Sequence, residues 1–274
     1  MWDCEWKKLR AQLVKNGNSI SVGLAAVPRL DVRSHLYGGR CEIFQMVVEV
    51  KDGERGIMLD VNSLYPSTML FGRFLFGHPV VITHDIDLQN FSKYFGVALV
   101  TILPPTNLYV PIIPHRLAKG GTVYTLCRTC SETVNISKPC KHSDVERAIT
   151  GVWITPLINR AVELGYRLLH GYEVHDYPRS VVYNPETNEE GLFSKGIREL
   201  LLKKLQSSGF PVHITTDEQK RQYCQEHERR MGVVLRPEDI VHNAGMRAAA
   251  KAACNCTWGS ECLAWSVLNF YSTC

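Results

Sequence analysis

The sequence predicts an α+β fold, and three stretches carry that expectation. In "FQMVVEVKDGERGIMLDV" two apolar runs flank "KDGER", whose Asp52-Gly53 pair signals a hairpin between two strands. In "LFSKGIRELLLKKLQ" Phe193, Ile197, Leu200, Leu201 and Leu205 fall on one helical face. "RAAAKAACNCTWGS" is dominated by alanine, the strongest helix former. The chain has 274 residues, 45% of them hydrophobic and 21% charged, which supports a sizeable core and excludes an intrinsically disordered protein.

The start, "MWDCEWKKLR", carries charges where a secretory leader needs an apolar run, and prolines break the longest greasy stretch, "VALVTILPPTNLYVPIIP". The expectation is a chain that is not secreted, does not enter a membrane and works in the nucleus or cytoplasm. Ten cysteines in so long a chain without a leader then point to reduced thiols or metal ligation rather than disulfides. A net charge of +4 does not by itself imply nucleic acid, and basic runs such as "KGIRELLLKK" and "KRQYCQEHERR" read first as solvated helix faces.

Taken in chain order, Asp60 ends the second strand of the expected hairpin. Ser63 and Pro66 suit a turn into a short helix, so a cap at Asp60 or Ser63 and a metal ligand at Asp60 are both open. Residues 95–114 are proline-rich and read as extended, with a turn at "KGG" after them. In "SDVERAITGVWITPLINRAVELGY" Ser143 resembles an N-cap, and the later part reads as a helix ending near Gly165. The 193–205 helix stops at Gly-Phe-Pro. In the alanine-rich helix Arg247, Lys251, Asn255 and Gly259 recur every four residues, and Trp258 lies on the same stripe. Such a stripe suits a triphosphate and a base, or else is the solvated edge of a packing helix.

Cys127, Cys130, Cys140 and His142 form "CRTC…CKH", four soft ligands able to close a tetrahedral Zn²⁺ of structural type. The alternative is a loop of unliganded thiols, because the Cys-Lys-His arm is short.

The segment "DVNSLYPS", from Asp60, resembles the first polymerase motif of family B DNA polymerases: an Asp, two residues, then Ser-Leu-Tyr-Pro-Ser. "KAACNCTWG" resembles the second, with Cys256 in place of the family's serine and Trp258 in place of its tyrosine. With "MWDCEW", "LDVRSHLYGGRCEIF", "LCRTC" and "GLFSKGIRELLLKK", most of the chain is similar to the protein-primed polymerases of Maverick (Polinton) transposons and their viral relatives.

The resemblance implies an incomplete polymerase palm and fingers with an inserted subdomain. Residues 1–80 would open the palm, 81–180 form the insertion with the Cys/His cluster, 181–260 form the fingers, and 261–274 are an atypical tail. Joining a nucleotide to a primer hydroxyl is an in-line phosphoryl displacement assisted by two divalent ions. Asp60, with the carbonyl of Val61, would ligate Mg²⁺. Ser63, Leu64 and Tyr65 would line the nucleotide site, Tyr65 as a steric gate under the sugar. Lys251 would neutralise triphosphate charge, Asn255 orient the pocket, and Trp258 and Gly259 border the nascent base pair; Arg247 is added from the stripe. Tyr37, Gly38, Gly39 and Arg40 resemble the family's template-contacting Tyr-x-Gly-Gly element, one residue short.

The family's third motif, Asp-Thr-Asp, does not follow the lysine helix, and Asp85 and Asp87 precede it. The expectation is therefore a polymerase fragment, inactive alone, whose partners are DNA template and primer, deoxynucleoside triphosphates and a priming protein. The competing expectation is a non-catalytic, zinc-bearing, nucleic-acid-binding remnant.

Overall fold

The computed structural model describes residues 29–256, apart from positions 62, 136, 137 and 188. The chain divides into two compact units, Met1–Leu30 and Asp31–Cys274, and the described residues fall almost entirely in the second. The fold is α+β. A short antiparallel pair joins β1 (Phe74–Leu75) to β8 (Ser180–Val181), and a four-stranded antiparallel sheet has the order β2 (Val80–Ile82), β7 (Arg167–Asp176), β3 (Gly96–Leu103), β6 (Ile149–Ile154).

Strand β3, "GVALVTIL", is apolar nearly throughout, because it lies inside the sheet and is buried along almost its whole length. Its first residue is a glycine for want of space: a Cβ there would stand 1.9 Å from the carbonyl oxygen of His175 on β7. Pro104 and Pro105, which have no N–H for a ladder, follow the strand. The expected turn at 119–121 joins a hairpin of β4 (Pro114–Arg116) and β5 (Thr122–Tyr124), with Gly120 and Gly121 both at φ +91°.

Ser143 does open a helix, with a capping box to Glu146, but that helix lasts only from Asp144 to Arg147. "ITGVWI", between that short helix and the helix expected to end near Gly165, is strand β6. Its β-branched and aromatic residues suit a pleated surface, and it pairs with β3 from Ile102↔Ile149 to Val97↔Ile154. The helix follows only at Thr155–Glu163, with Pro156 in its first turn, and the chain turns at Gly165 (φ +90°).

The longer helices build a second core of their own. We label the longer helices α1 (Leu64–Phe71), α2 (Ser194–Ser208), α3 (Asp217–Met231) and α4 (Ala244–Cys256). Ile197 and Leu201 of α2 are buried with Met69 and Leu70 of α1, Phe74, Tyr183 and Cys224, while Phe193, Leu200 and Leu205 pack at the edge. Helix α4 lies along α2 and also meets α1. On α3 the basic run is a solvated face, where Lys220, Arg221, Arg229 and Arg230 pair with acids one helical turn away.

One expectation fails. The turn at Asp52-Gly53 forms, with the Glu54 N–H donating to the Lys51 carbonyl at 3.0 Å, but neither flanking run is a strand. Residues 43–50 and 57–61 are exposed, Met46 by 92%, Met58 by 94% and Leu59 by 89%. A two-stranded hairpin is marginal without a third strand or a helix on its apolar face, and the described residues provide neither.

Candidate functional site

Helix α1 starts at a strained position. Ser63 occupies its N-cap in the left-handed region (φ 58°, ψ 35°), a conformation that costs a non-glycine residue on the order of 1–3 kcal/mol, and its side chain makes no capping bond. Its hydroxyl instead accepts a hydrogen bond from Lys204 Nζ at 2.5 Å. Neither Ser63 nor Asp60 therefore caps the helix by its side chain. Pro66 is tolerated in the first turn, where its missing N–H is no loss, and buried Met69 and Leu70 anchor the helix. Tyr65 stands exposed in that same turn.

Lys204 belongs to α2 and comes from the basic run read as a solvated face. It sits seven residues after buried Ile197, so it lies on the apolar side of the helix and is half-buried. That placement on an apolar face was the sequence signal for it. Burial holds its pKa below the usual lysine value, Arg247 and Lys251 push the same way, and Cys254 opposes them. On α4 the expected stripe exists: Arg247, Lys251 and Asn255 are exposed, while Ala250 and Cys254 are buried.

The structure thus gathers Ser63, Lys204, Arg247 and Lys251, and none of the three cations has an ion pair among the described residues. Unneutralised cations beside the N-terminus of α1 form an anion-binding arrangement. Asp60 and Tyr65 flank Ser63 along the chain, and Asn255 continues the stripe by one turn. Trp258 and Gly259 lie outside the described residues.

The glycine element is arranged differently. Arg40 is engaged within the protein: its guanidinium donates to Glu42 Oε2 (2.8 Å) and to the Pro111 carbonyl (2.6 Å), and lies 4.0 Å from the centre of the Tyr124 ring. Tyr37 is half-buried beneath Arg116 (4.9 Å), and burial raises its phenol pKa. Gly38 and Gly39 are exposed, with open space where a Cβ would be. Further along, Cys127, Cys130, Cys140 and His142 converge, their ligand atoms all within 4.8 Å of one another, a set able to bind a metal such as zinc.

Residues 29–209 match the family described as DNA polymerase type B, organellar and viral, a span of more than half the chain. The chain belongs to that family. No curated protein and no solved structure gives a match. This polymerase chain is accordingly of the nucleotidyltransferase kind that replicates DNA, with DNA and nucleotides as substrates and divalent metal ions as the family's general requirement.

The chain's own residues offer such an ion limited support. Asp60 is exposed, has no hydrogen bond or ion pair among the described residues, and presents hard carboxylate oxygens. With the adjoining Val61 carbonyl it fits a Mg²⁺ that keeps most of its waters. Among the described residues no second acid joins Asp60 in a metal-binding group. Asp87 is occupied elsewhere, accepting from the Asn90 N–H at 3.0 Å and pairing with Lys93 at 3.1 Å.

Proposed function

We propose that this chain carries the nucleotide-binding part of a protein-primed, Maverick-type DNA polymerase, working in the nucleus or cytoplasm and completing nucleotidyl transfer when a second carboxylate joins Asp60. The observation that carries this reading is the Lys204–Ser63 hydrogen bond with Arg247 and Lys251 beside it, which joins the first motif to the lysine helix. The family match favours an enzyme over a non-catalytic remnant.

In this reading Lys251, Arg247 and Lys204 bind and orient the triphosphate, and their mutual repulsion makes an anion welcome. Asp60 and the Val61 carbonyl would hold Mg²⁺, which when bound neutralises charge on the attacking and leaving oxygens. Leu64 and Tyr65 lie under the sugar, where the Tyr65 ring excludes a ribose 2′-hydroxyl. Asn255 orients the pocket, and by resemblance to the family Trp258 and Gly259, outside the described residues, would border the nascent base pair. Gly38 and Gly39, flanked by Tyr37 and Arg40, present bare backbone to the template strand. The primer hydroxyl comes from a priming protein, and residues 81–180 are an insertion between palm and fingers.

The test is nucleotide binding and incorporation by the purified 274-residue chain. Deoxynucleoside triphosphate should bind in a salt-sensitive manner, and no nucleotide should be added to a primed template, because one carboxylate cannot hold two cations. A folded chain that fails to bind nucleotide at low salt, or incorporation that survives Asp60→Asn, would overturn the reading.

A further inference from the structure

The Cys/His cluster lies outside the nucleotide site, and its geometry resembles a coordination sphere more than a group of loose thiols. The three sulfurs surround one ring nitrogen: His142 Nδ1 stands 3.4 Å from Cys127 Sγ, 3.3 Å from Cys130 Sγ and 3.5 Å from Cys140 Sγ. A tetrahedral zinc, with bonds of about 2.3 Å to sulfur and about 2.0–2.1 Å to nitrogen, sets its sulfur-to-nitrogen edges at about 3.5 Å. The observed edges match that value within about 0.2 Å. One Nδ1 cannot donate to three sulfurs at once, so hydrogen bonding alone does not explain the convergence.

The surroundings also suit thiolates. The Cys130 N–H donates to Cys127 Sγ (3.4 Å) and the Asn135 side-chain amide to Cys130 Sγ (3.6 Å). Asn135 is itself held by Lys138, whose N–H donates to Asn135 Oδ1 (3.1 Å) and whose carbonyl accepts from Nδ2 (3.2 Å). Donors fixed on the ligand atoms are the outer support that metal-bound sulfur needs.

We infer that Cys127, Cys130, Cys140 and His142, through Nδ1, bind one structural Zn²⁺ that staples the insertion to the sheet. Four protein ligands leave no coordination position open to substrate or water, so the site holds structure and does no chemistry. It ties the helix that begins at Arg128 to the chain just before Asp144. Around it Thr129 Oγ1 donates to the Glu146 carbonyl (2.8 Å) and Arg128 Nε to the Ala148 carbonyl (3.1 Å). Buried Arg147 then reaches the Pro104 (2.8 Å), Pro105 (2.9 Å) and Leu126 (3.4 Å) carbonyls, at the end of β3 and the start of the Cys-x-x-Cys arm. Bound zinc would close the loop between the two arms.

The experiment uses the full chain, purified without a histidine tag and under reducing conditions. Elemental analysis should find one zinc per chain. Cobalt exchange should give the intense visible bands of a tetrahedral site together with thiolate-to-metal charge transfer. Cys140→Ser and His142→Ala should reduce zinc to a trace, while His142→Cys, which restores a fourth soft ligand, should keep it. Should the variants fold poorly, a strong chelator added to the wild-type chain should open tryptic cleavage at Arg128 and Lys141, both exposed, and added zinc should reverse it. A folded wild-type chain with neither zinc nor a cobalt spectrum, a disulfide between any two of these cysteines under reducing conditions, or full zinc in Cys140→Ser would overturn the proposal.

Discussion

Replacing Lys204 by methionine keeps the length of the side chain and removes its charge. In the free protein two effects oppose each other. The hydrogen bond to Ser63 Oγ at 2.5 Å is lost, and a half-buried cation facing Arg247 and Lys251 is relieved. A charge-assisted hydrogen bond contributes about 1.5–3 kcal/mol, and the relieved burial and repulsion offset its loss, so stability should fall by less than that. Nucleotide binding has no such offset. Losing one charge-assisted contact to a phosphate oxygen costs about 1.5–3 kcal/mol. That weakens Kd about tenfold to a hundredfold. The assay is a pair of measurements on each protein: a denaturant melt, and titration with deoxynucleoside triphosphate at low salt. Lys203→Met, one residue along the same helix and exposed, should leave both unchanged. An alkaline series adds a signature. The folded pKa of Lys204 lies below the ordinary 10.5, so the cost of burying its charge is fully present at neutral pH and is relieved only as pH rises through that lowered value. Any stability advantage of Lys204→Met should therefore shrink in alkali. If Lys204→Met weakens nucleotide binding no more than Lys203→Met does, or unfolds the chain outright, Lys204 is not a phosphate contact.

Asp60→Asn, at an exposed carboxylate, should leave stability within about 0.5 kcal/mol of the wild type but remove the magnesium-dependent part of nucleotide binding, read by titrating Mg²⁺ at fixed triphosphate. Gly96→Ala should lower stability by about 1–3 kcal/mol in a denaturant melt, because its Cβ would collide with the His175 carbonyl and push β3 from β7. Burial raises the Tyr166 phenol above its usual 10.0, so its share of stability is complete below that pH and is lost as pH climbs through the folded value. Tyr166→Phe should flatten the alkaline decline in stability, measured as melting temperature against pH.

Several features were legible before any fold was known, because they reside in residue type and short spacing. The stripe of Arg247, Lys251 and Asn255 follows from the helical period, and α4 shows it opposite buried Ala250 and Cys254. The face of Ile197, Leu200, Leu201 and Leu205 packs as its period requires. The four Cys and His side chains were visible because soft donors in a Cys-x-x-Cys pattern, followed by a Cys and a His, have the spacing of metal ligands. The first motif drew attention to Ser63 and Asp60 from local composition alone.

Tertiary structure decided what depends on a partner distant in sequence. "ITGVWI" is a short apolar run that could serve as helix or strand, and its pairing with β3 made it strand. The runs on either side of Asp52-Gly53 are apolar and flank a hairpin turn signal, yet a hairpin without a covering layer among the described residues stays unpaired. Lys204 read as one more solvated lysine, and only packing against α1 and α4 brought it to Ser63, 141 residues away in sequence, and set it beside Arg247 and Lys251. Local chemistry names the groups able to act. Burial and long-range contact determine which of them meet, since a charge changes its behaviour only when the fold removes water from it and supplies its neighbours.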